Sequence, residues 1–217
     1  MISDARLLGR DLTLETGGRR LPGRLDLPPD PGGLVLFAHG SGSGRLSPRN
    51  QRVAMALHGA GLATYRFDLL TEDEAADRSL VFDIALLGRR LLAATDLVAG
   101  EPAVAPLPVG YFGASTGAAA ALVAAAARPG IRAVVSRGGR PDLAGEALAR
   151  VHAPTLLIVG GNDPVVLQLN QQALALLPGD RELVVVPGAT HLFQEPGALE
   201  RVAELAAGWF SSHLGVA

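Results

Sequence analysis

Short apolar runs of strand length alternate with longer helix-like segments along most of this chain, which limits the folds open to it. Parallel strands within one sheet need crossover connections, and these are usually helices. The alternation therefore predicts an α/β fold with a mostly parallel central sheet flanked by helices. Strands are expected at Leu34–His39, Leu62–Phe67, Val109–Ser115, Ile131–Ser136, Pro154–Gly160 and Glu182–Val186, and helices at Ser47–Ala60, Asp77–Leu97, 116–127, Pro141–Arg150, Pro164–Leu177 and Pro196–Leu214.

The segments before the first of these strands carry turn signals. Leu12–Glu15 and Leu21–Leu27 alternate polar and apolar residues and flank Gly17 and Gly18, which predicts an antiparallel hairpin. No linker or repeat divides the chain. A length of 217 residues with 48% hydrophobic content suits one α/β domain over residues 1–217.

The composition excludes several kinds of chemistry. The chain has no cysteine and no lysine, so thiolate metal sites, cysteine nucleophiles and Schiff bases are excluded. No His, Asp or Glu cluster has ligand spacing, and neither a metal nor another cofactor is expected. A net charge of −2 gives no electrostatic signal for nucleic acid or an anionic membrane. Charges interrupt the apolar residues of the N-terminal stretch, so no signal peptide is predicted and a cytoplasmic location is expected.

The clearest chemical motif lies where the third of the six predicted strands meets a helix. Residues 113–117 read Gly-Ala-Ser-Thr-Gly and match G-x-S-x-G. Small residues on both sides of Ser115 suit the tight turn that exposes a nucleophilic serine. The alternative is a glycine-rich turn without chemistry, or one that binds phosphate. We interpret Ser115 as the nucleophile of an acyl-transfer reaction.

A serine nucleophile needs a histidine base. Of the five histidines, His58 and His213 fall within predicted helices, His39 ends a strand, and His152 precedes a strand. His191 alone lies on a loop between the last predicted strand and the final helix. We predict that His191 is the base, against the alternative of a surface loop histidine.

The acid is expected between Ser115 and His191 in the chain, which leaves three aspartates. Asp180 lies in a turn at the start of a strand, and Asp142 opens a short helix. Asp163 follows the predicted strand Pro154–Gly160 in the loop Gly-Gly-Asn-Asp-Pro. Catalytic groups of open α/β sheets gather at the carboxyl ends of the strands. Asp163 is therefore the predicted acid, with a helix-cap role as the alternative.

A glycine-rich loop, residues 39–44, follows the first predicted parallel strand. Such a loop allows close backbone approach, and the N–H of Ser41 would supply one oxyanion donor while the N–H of Thr116 supplies the other. His39 in this loop is a candidate substrate-binding residue.

Three arginines on predicted loops are further candidates for substrate binding: Arg45, Arg137 and Arg140. An arginine at this edge of the sheet could bind a substrate carboxylate through two parallel hydrogen bonds. The alternative is a pair with a neighbouring acid such as Asp142 or Glu146 that fixes the shape of the loop.

These motifs together resemble the α/β-hydrolase superfamily, and specifically its dienelactone-hydrolase-like branch. The resemblance rests on LVLFAHGSGSG, GYFGASTGAAAAL, LLIVGGNDPVV and VPGATHLF, which occur in that order over most of the chain. It implies Ser115 as nucleophile, Asp163 as acid and His191 as base, with Ser41 and Thr116 at the oxyanion positions. Dienelactone hydrolases proper carry cysteine at the nucleophile position, and the serine here favours hydrolysis of carboxylic esters.

The distance from Ser115 to Asp163 leaves no room for an inserted lid domain, and an open cleft favours small acyl substrates. We therefore expect a serine hydrolase of small-molecule carboxylic esters that works through an acyl-enzyme. Two alternatives remain open: an acyltransferase or thioesterase with the same triad, and a non-catalytic small-molecule binding protein. Nothing in the sequence indicates an oligomeric state.

Overall fold

The central element of the computed structural model, which describes residues 7–215, is an eight-stranded sheet. Parallel pairings join six neighbouring strands, and two antiparallel strands complete one edge. The strands are β1 (Leu8–Asp11), β2 (Leu14–Thr16), β3 (Arg19–Leu21), β4 (Gly23–Leu27), β5 (Gly33–Ala38), β6 (Leu62–Phe67), β7 (Val109–Ala114), β8 (Ile131–Arg137), β9 (Thr155–Gly160) and β10 (Arg181–Val186). Their order in the sheet is β1-β4-β6-β5-β7-β8-β9-β10, and β2 and β3 form a separate hairpin.

Helices cover both faces of the sheet. They are α1 (Pro48–Gly59), α2 (Glu72–Ala76), α3 (Arg78–Val81), α4 (Ile84–Ala99), α5 (Thr116–Ala127), α6 (Pro164–Leu176) and α7 (Ala198–Leu214), with a 3-10 helix at Pro141–Arg150. Helices α1 and α7 pack over one face, and α4, α5 and α6 over the other. This confirms the predicted α/β-hydrolase fold with its mostly parallel sheet.

Burial on both faces explains why the parallel strands are apolar throughout. In β5, Val35 and Phe37 join the core beneath α1 and α7, while Leu34 and Leu36 join the core beneath α4 and α5. A strand buried on both sides has no polar face, which is why the sequence shows continuous apolar runs there.

The order in which successive strands are added to the sheet changes sides between β5 and β7. These strands are neighbours, but β5 connects to β6 on one side and β7 connects to β8 on the other. The loops that follow β5 and β7 therefore diverge and leave a crevice at the carboxyl ends of the strands. Open α/β sheets bind their ligands at this position.

Two sequence predictions need correction. The helix expected at Asp77–Leu97 is broken into α3 and α4, because the Asp83 carboxylate accepts a hydrogen bond from Leu86 N–H at 2.8 Å and starts a new helix. The hairpin expected from Leu12–Glu15 and Leu21–Leu27 is shorter, because the chain turns at Pro22 and β4 joins the main sheet.

None of the helices in residues 7–215 is long and apolar enough to cross a membrane. The N-terminal stretch behind the signal-peptide prediction lies partly outside the described residues.

Candidate active site

Ser115 occupies a strained turn between β7 and α5. Its φ of 50° and ψ of −120° are rare for a residue with a side chain and are typical of strain held at functional sites. A Cβ at Gly113 or Gly117 would lie less than 3.0 Å from backbone atoms of α5 or of β5. Both glycines of G-x-S-x-G are therefore needed for the close packing that presents Ser115 at the sheet edge.

The glycine-rich loop after β5 packs against this turn. A Cβ at Gly40 would lie 2.9 Å from both the Ala114 oxygen and the Ser115 Cβ. The next residue, Ser41, is exposed, and Thr116 is the first residue of α5. Within residues 7–215 neither the Ser41 N–H nor the Thr116 N–H donates to a backbone carbonyl. Neither N–H is thus engaged by backbone in this part of the chain, and their role as oxyanion donors stays a prediction.

His39 holds the loop in place. Its Nδ1 lies 3.0 Å from the Gly40 oxygen, and its Nε2 accepts a hydrogen bond from Leu69 N–H at 2.8 Å. Burial lowers the pKa of His39, which favours the neutral ring that this pairing requires. With both nitrogens bonded to backbone, the side chain positions the loop and offers no free group to a substrate.

Asp163 and His191 form a hydrogen-bonded pair on the loops after β9 and β10. The distance from His191 Nδ1 to Asp163 Oδ2 is 2.7 Å. The Asp163 side chain is 16% exposed and that of His191 39%, so the acid is shielded and the ring reaches solvent. Asp163 is also the N-cap of α6, through Val166 N–H at 3.5 Å. Asp163 therefore caps α6, as the alternative expected, and also bonds His191, while its role as the catalytic acid stays a prediction.

The backbone at the end of β8 lies beside both Ser115 and His191. Ser115 N–H donates to the Arg137 oxygen at 3.3 Å. A Cβ on the following residue, Gly138, would lie 3.6 Å from Cε1 of His191. No hydrogen bond joins the Ser115 hydroxyl to His191 among the described residues, and such bonds are often long until substrate binds. The loop arrangement brings the three predicted residues to one edge of the sheet.

Asp142 and Asp180, the two aspartates that were not predicted to be the acid, have other partners. Both carboxylate oxygens of Asp142 accept hydrogen bonds from Arg140, at 2.8 and 2.7 Å. An oxygen of Asp180 lies 3.9 Å from His213 Nε2, on the opposite edge of the strands. Neither aspartate lies beside His191.

The candidate arginines divide into paired and unpaired side chains. Arg45 binds Asp68 at 2.7 Å through its guanidinium and again through its backbone N–H. Arg140 binds Asp142 as described, so the loop-fixing alternative holds for this residue. Arg137 is buried, and its Nε and Nη1 atoms have no hydrogen-bond partner in the described part of the chain.

An apolar cavity beside the Ser41 and Thr116 N–H groups was not predicted. It has a volume of about 20 Å³, room for about one water-sized group, and its lining comprises residues 39–43, Leu69, Leu70, Ala75, Val81, Leu87 and Thr116. The helices α2, α3 and α4 each contribute one residue to this lining, Ala75, Val81 and Leu87. The Thr71 and Glu74 capping box at the start of α2 was a sequence signal for this segment, and it was missed.

A buried ion pair holds helix α2 in place. Arg90 donates to both oxygens of Glu74, at 2.7 and 2.8 Å, and to the Leu69 oxygen at 2.7 Å. The hydrogen bonds from Arg90 lower the pKa of Glu74 to about 2. The ion pair thus attaches α2 to α4, and each of these helices contributes one residue to the cavity lining.

The fold and this arrangement at the sheet edge define the α/β-hydrolase class. Residues 69–211 match the model of the Dienelactone hydrolase family, and the chain belongs to that family. A solved dienelactone hydrolase from Anabaena variabilis is similar over nearly its whole length. It is 54% identical, covers 96% of this chain and 99% of its own, and superimposes with a TM-score of 0.93.

Two other similarities bear on its function. Est1E from Butyrivibrio proteoclasticus is 18% identical with a TM-score of 0.81, covering 94% of this chain and 99% of its own, which shows the shared fold. A Mycobacterium tuberculosis protein with the provisional name phosphoribosyl transferase is 59% identical over 98% of this chain. That match covers 48% of the relative, so the chain spans about half the length of this curated relative.

Proposed function

We propose that the protein is a serine hydrolase that cleaves carboxylic esters of small acyl groups through an acyl-enzyme. The observation that carries the proposal is the bond between His191 Nδ1 and Asp163 Oδ2, beside the strained Ser115 turn. This bond holds the imidazole with its other nitrogen free to act as a base, which a serine nucleophile requires.

In the proposed mechanism the Ser115 hydroxyl attacks the ester carbonyl and passes its proton to Nε2 of His191. Asp163 stabilises the imidazolium that forms, and the N–H groups of Ser41 and Thr116 stabilise the oxyanion. His191 then protonates the departing alcohol, which leaves an acyl group on Ser115. Water, activated by His191, releases the acid and regenerates the serine.

The apolar cavity beside Ser41 and Thr116 supports the preference for small acyl groups. It lies next to the proposed oxyanion donors, where the acyl chain of a bound ester would extend. At about 20 Å³ it accommodates only a group of about the size of a water molecule or a methyl, far below the range typical of sites for drug-sized ligands. We therefore assign it to the acyl chain, with Leu87 and Val81 at its closed side.

Active-site labelling tests the proposal directly. A fluorophosphonate probe should modify Ser115, and peptide mapping should find no adduct in Ser115→Ala. The same variant should lose turnover of 4-nitrophenyl acetate while keeping the circular dichroism spectrum of the wild type. Ser212→Ala, at an exposed position of α7, is the matched control and should retain both labelling and turnover. Labelling at another residue would disprove the assignment.

Acyl transfer and thioester hydrolysis use the same groups and differ in the acceptor or the leaving group. Adding short alcohols to the assay distinguishes transfer, because ester products would then form at the expense of free acid. A parallel assay with acetyl thioesters compares the two leaving groups.

We propose that the part of the mycobacterial relative that matches this chain does not carry the activity in that protein's name. That relative matches this chain, a member of the Dienelactone hydrolase family, over 48% of its length, and about half of it lies outside the match. We propose that phosphoribosyl transfer belongs to the remaining half. A phosphoribosyl transferase assay on this chain should therefore show no turnover.

A further inference from the structure

Strand β8 ends in an arginine whose charge is not offset. Arg137 is 8% exposed, its Nε and Nη1 atoms are buried without a hydrogen-bond partner, and it forms no salt bridge within residues 7–215. An unpaired buried charge is strongly unfavourable, and buried guanidinium groups are normally paired with an acid or an anionic ligand. Arg137 is therefore a candidate for binding an anion.

A second arginine lies on the same side of the sheet. Val135, two residues before Arg137, belongs to the core beneath α1 and α7, and side chains alternate along a strand. Arg137 therefore faces α1, where Arg49 occupies the first turn and has its own Nε buried without a partner. Burial and the charge of Arg49 lower the pKa of Arg137 to about 10, so the Arg137 guanidinium is still charged at neutral pH.

The surroundings add little negative charge. Glu195 borders the groove that Arg49 and Phe193 line. Its Oε1 accepts a hydrogen bond from Thr190 Oγ1 at 2.6 Å, and its Oε2 is buried without a hydrogen-bond partner in the described part of the chain. Glu195 forms no salt bridge with either arginine in the described part of the chain, and one glutamate could offset only one of the two charges. The N-terminus of α1, with Pro48 in its first turn, contributes further positive potential.

We propose that Arg137 and Arg49 form a subsite for a phosphate dianion beside the nucleophile turn. Two planar guanidinium groups match the geometry and the double charge of phosphate. The subsite is adjacent to Ser115, whose N–H donates to the Arg137 oxygen at 3.3 Å. The phosphate is either free or part of an ester substrate, and the second case rests on the proposed esterase function.

Thermal unfolding with inorganic phosphate tests the subsite without using activity. At a phosphate concentration about 100-fold above its Kd, the Tm of the wild type should rise by about 5 °C or more. Arg137→Met and Arg49→Met should each lose this rise. Arg140→Met is the matched control, because Arg140 is paired with Asp142, and it should keep the rise. Sodium sulfate and sodium acetate at the same ionic strength separate a dianion site from general anion effects.

A second measurement identifies the source of the phosphate. The wild type is assayed with 1-acetylglycerol and with 1-acetylglycerol 3-phosphate, which differ only in the phosphate group. If the phosphate belongs to the substrate, kcat/KM should be at least about tenfold higher for the phosphorylated ester, and Arg137→Met should abolish that preference. Equal kcat/KM values together with the Tm rise would assign the subsite to free phosphate.

The proposal fails if phosphate leaves the Tm of the wild type unchanged, or raises it equally in Arg137→Met. The failure of the esterase assignment is distinguishable from this result. Ser115→Ala should keep the phosphate-dependent rise in Tm, whether or not the wild type hydrolyses esters.

Discussion

The Nδ1 atom of His191 lies 2.7 Å from Oδ2 of Asp163, although the two residues are 28 positions apart in the chain. Their loops leave the neighbouring parallel strands β9 and β10, and they are joined by a hydrogen bond from Asn162 N–H to the Ala189 oxygen at 2.9 Å. The sheet thus fixes the separation of the two side chains, and this pairing leads to the first prediction.

Asp163→Asn should lower kcat for ester hydrolysis by several orders of magnitude. An amide cannot stabilise the imidazolium or hold the required tautomer, and the loss in a serine protease triad is about 10⁴-fold. Asparagine is also a good N-cap, so α6 and the Tm should be nearly unaffected. Asp142→Asn and Asp180→Asn are controls and should stay within a few-fold of the wild-type kcat. Loss of activity in Asp142→Asn alone would show that Asp142 is the acid.

Gly117→Ala should destabilise the protein by about 3 kcal/mol in urea unfolding, because the added Cβ would overlap the backbone oxygens of β5. Gly208→Ala is the matched comparison in α7, where a Cβ meets nothing within 4 Å. That exchange should stabilise the protein by about 0.5–1 kcal/mol, through helix propensity alone. Equal effects at the two positions would contradict the close packing inferred around Ser115.

Glu74→Gln should lower the free energy of unfolding by about 3 kcal/mol at pH 7, since it leaves Arg90 buried without its acid. Glu72→Gln, exposed on the same helix, should have a much smaller effect.

The effect of Glu74 should also depend on pH. Its folded pKa of about 2 lies below the ordinary value of 4.5, so its stabilisation is fully present above pH 4.5 and is lost as the pH falls toward 2. The difference between the wild type and Glu74→Gln should shrink over that interval in urea titrations. A difference that stays constant down to pH 2 would contradict the ion pair.

Leu87→Ala should extend the range of acyl chains that the enzyme accepts, because Leu87 lines the cavity assigned to the acyl group. The ratio of kcat/KM for the hexanoyl ester to that for the acetyl ester should rise about tenfold, measured with 4-nitrophenyl esters. Leu86→Ala, at a neighbouring position outside the cavity lining, should leave the ratio unchanged. An unchanged ratio in Leu87→Ala as well would assign the cavity to another part of the substrate.

Local patterns in the sequence were enough to predict most of the sheet. Runs such as Leu62–Phe67 are apolar because their strands are buried on both faces, and the predicted bounds of the parallel strands agree with the structure within two residues. Local signals also placed Ser115, Asp163 and His191 on loops at the carboxyl ends of strands. Helix breaks were harder to predict, because the caps at Asp77 and Asp83 compete with an apolar periodicity that continues through them.

The sequence by itself determined the fold class, the order of its elements and which residues could carry the chemistry, since each depends on residue type and short-range spacing. The pairing of the charged side chains was decided only by the tertiary structure. Glu74 and Arg90 are 16 positions apart on different helices, yet they form a buried ion pair, while Arg137 at the end of β8 is buried near Arg49 of α1. The physical reason is that charge pairing depends on which distant elements the packed sheet brings together, and no local pattern records that distance.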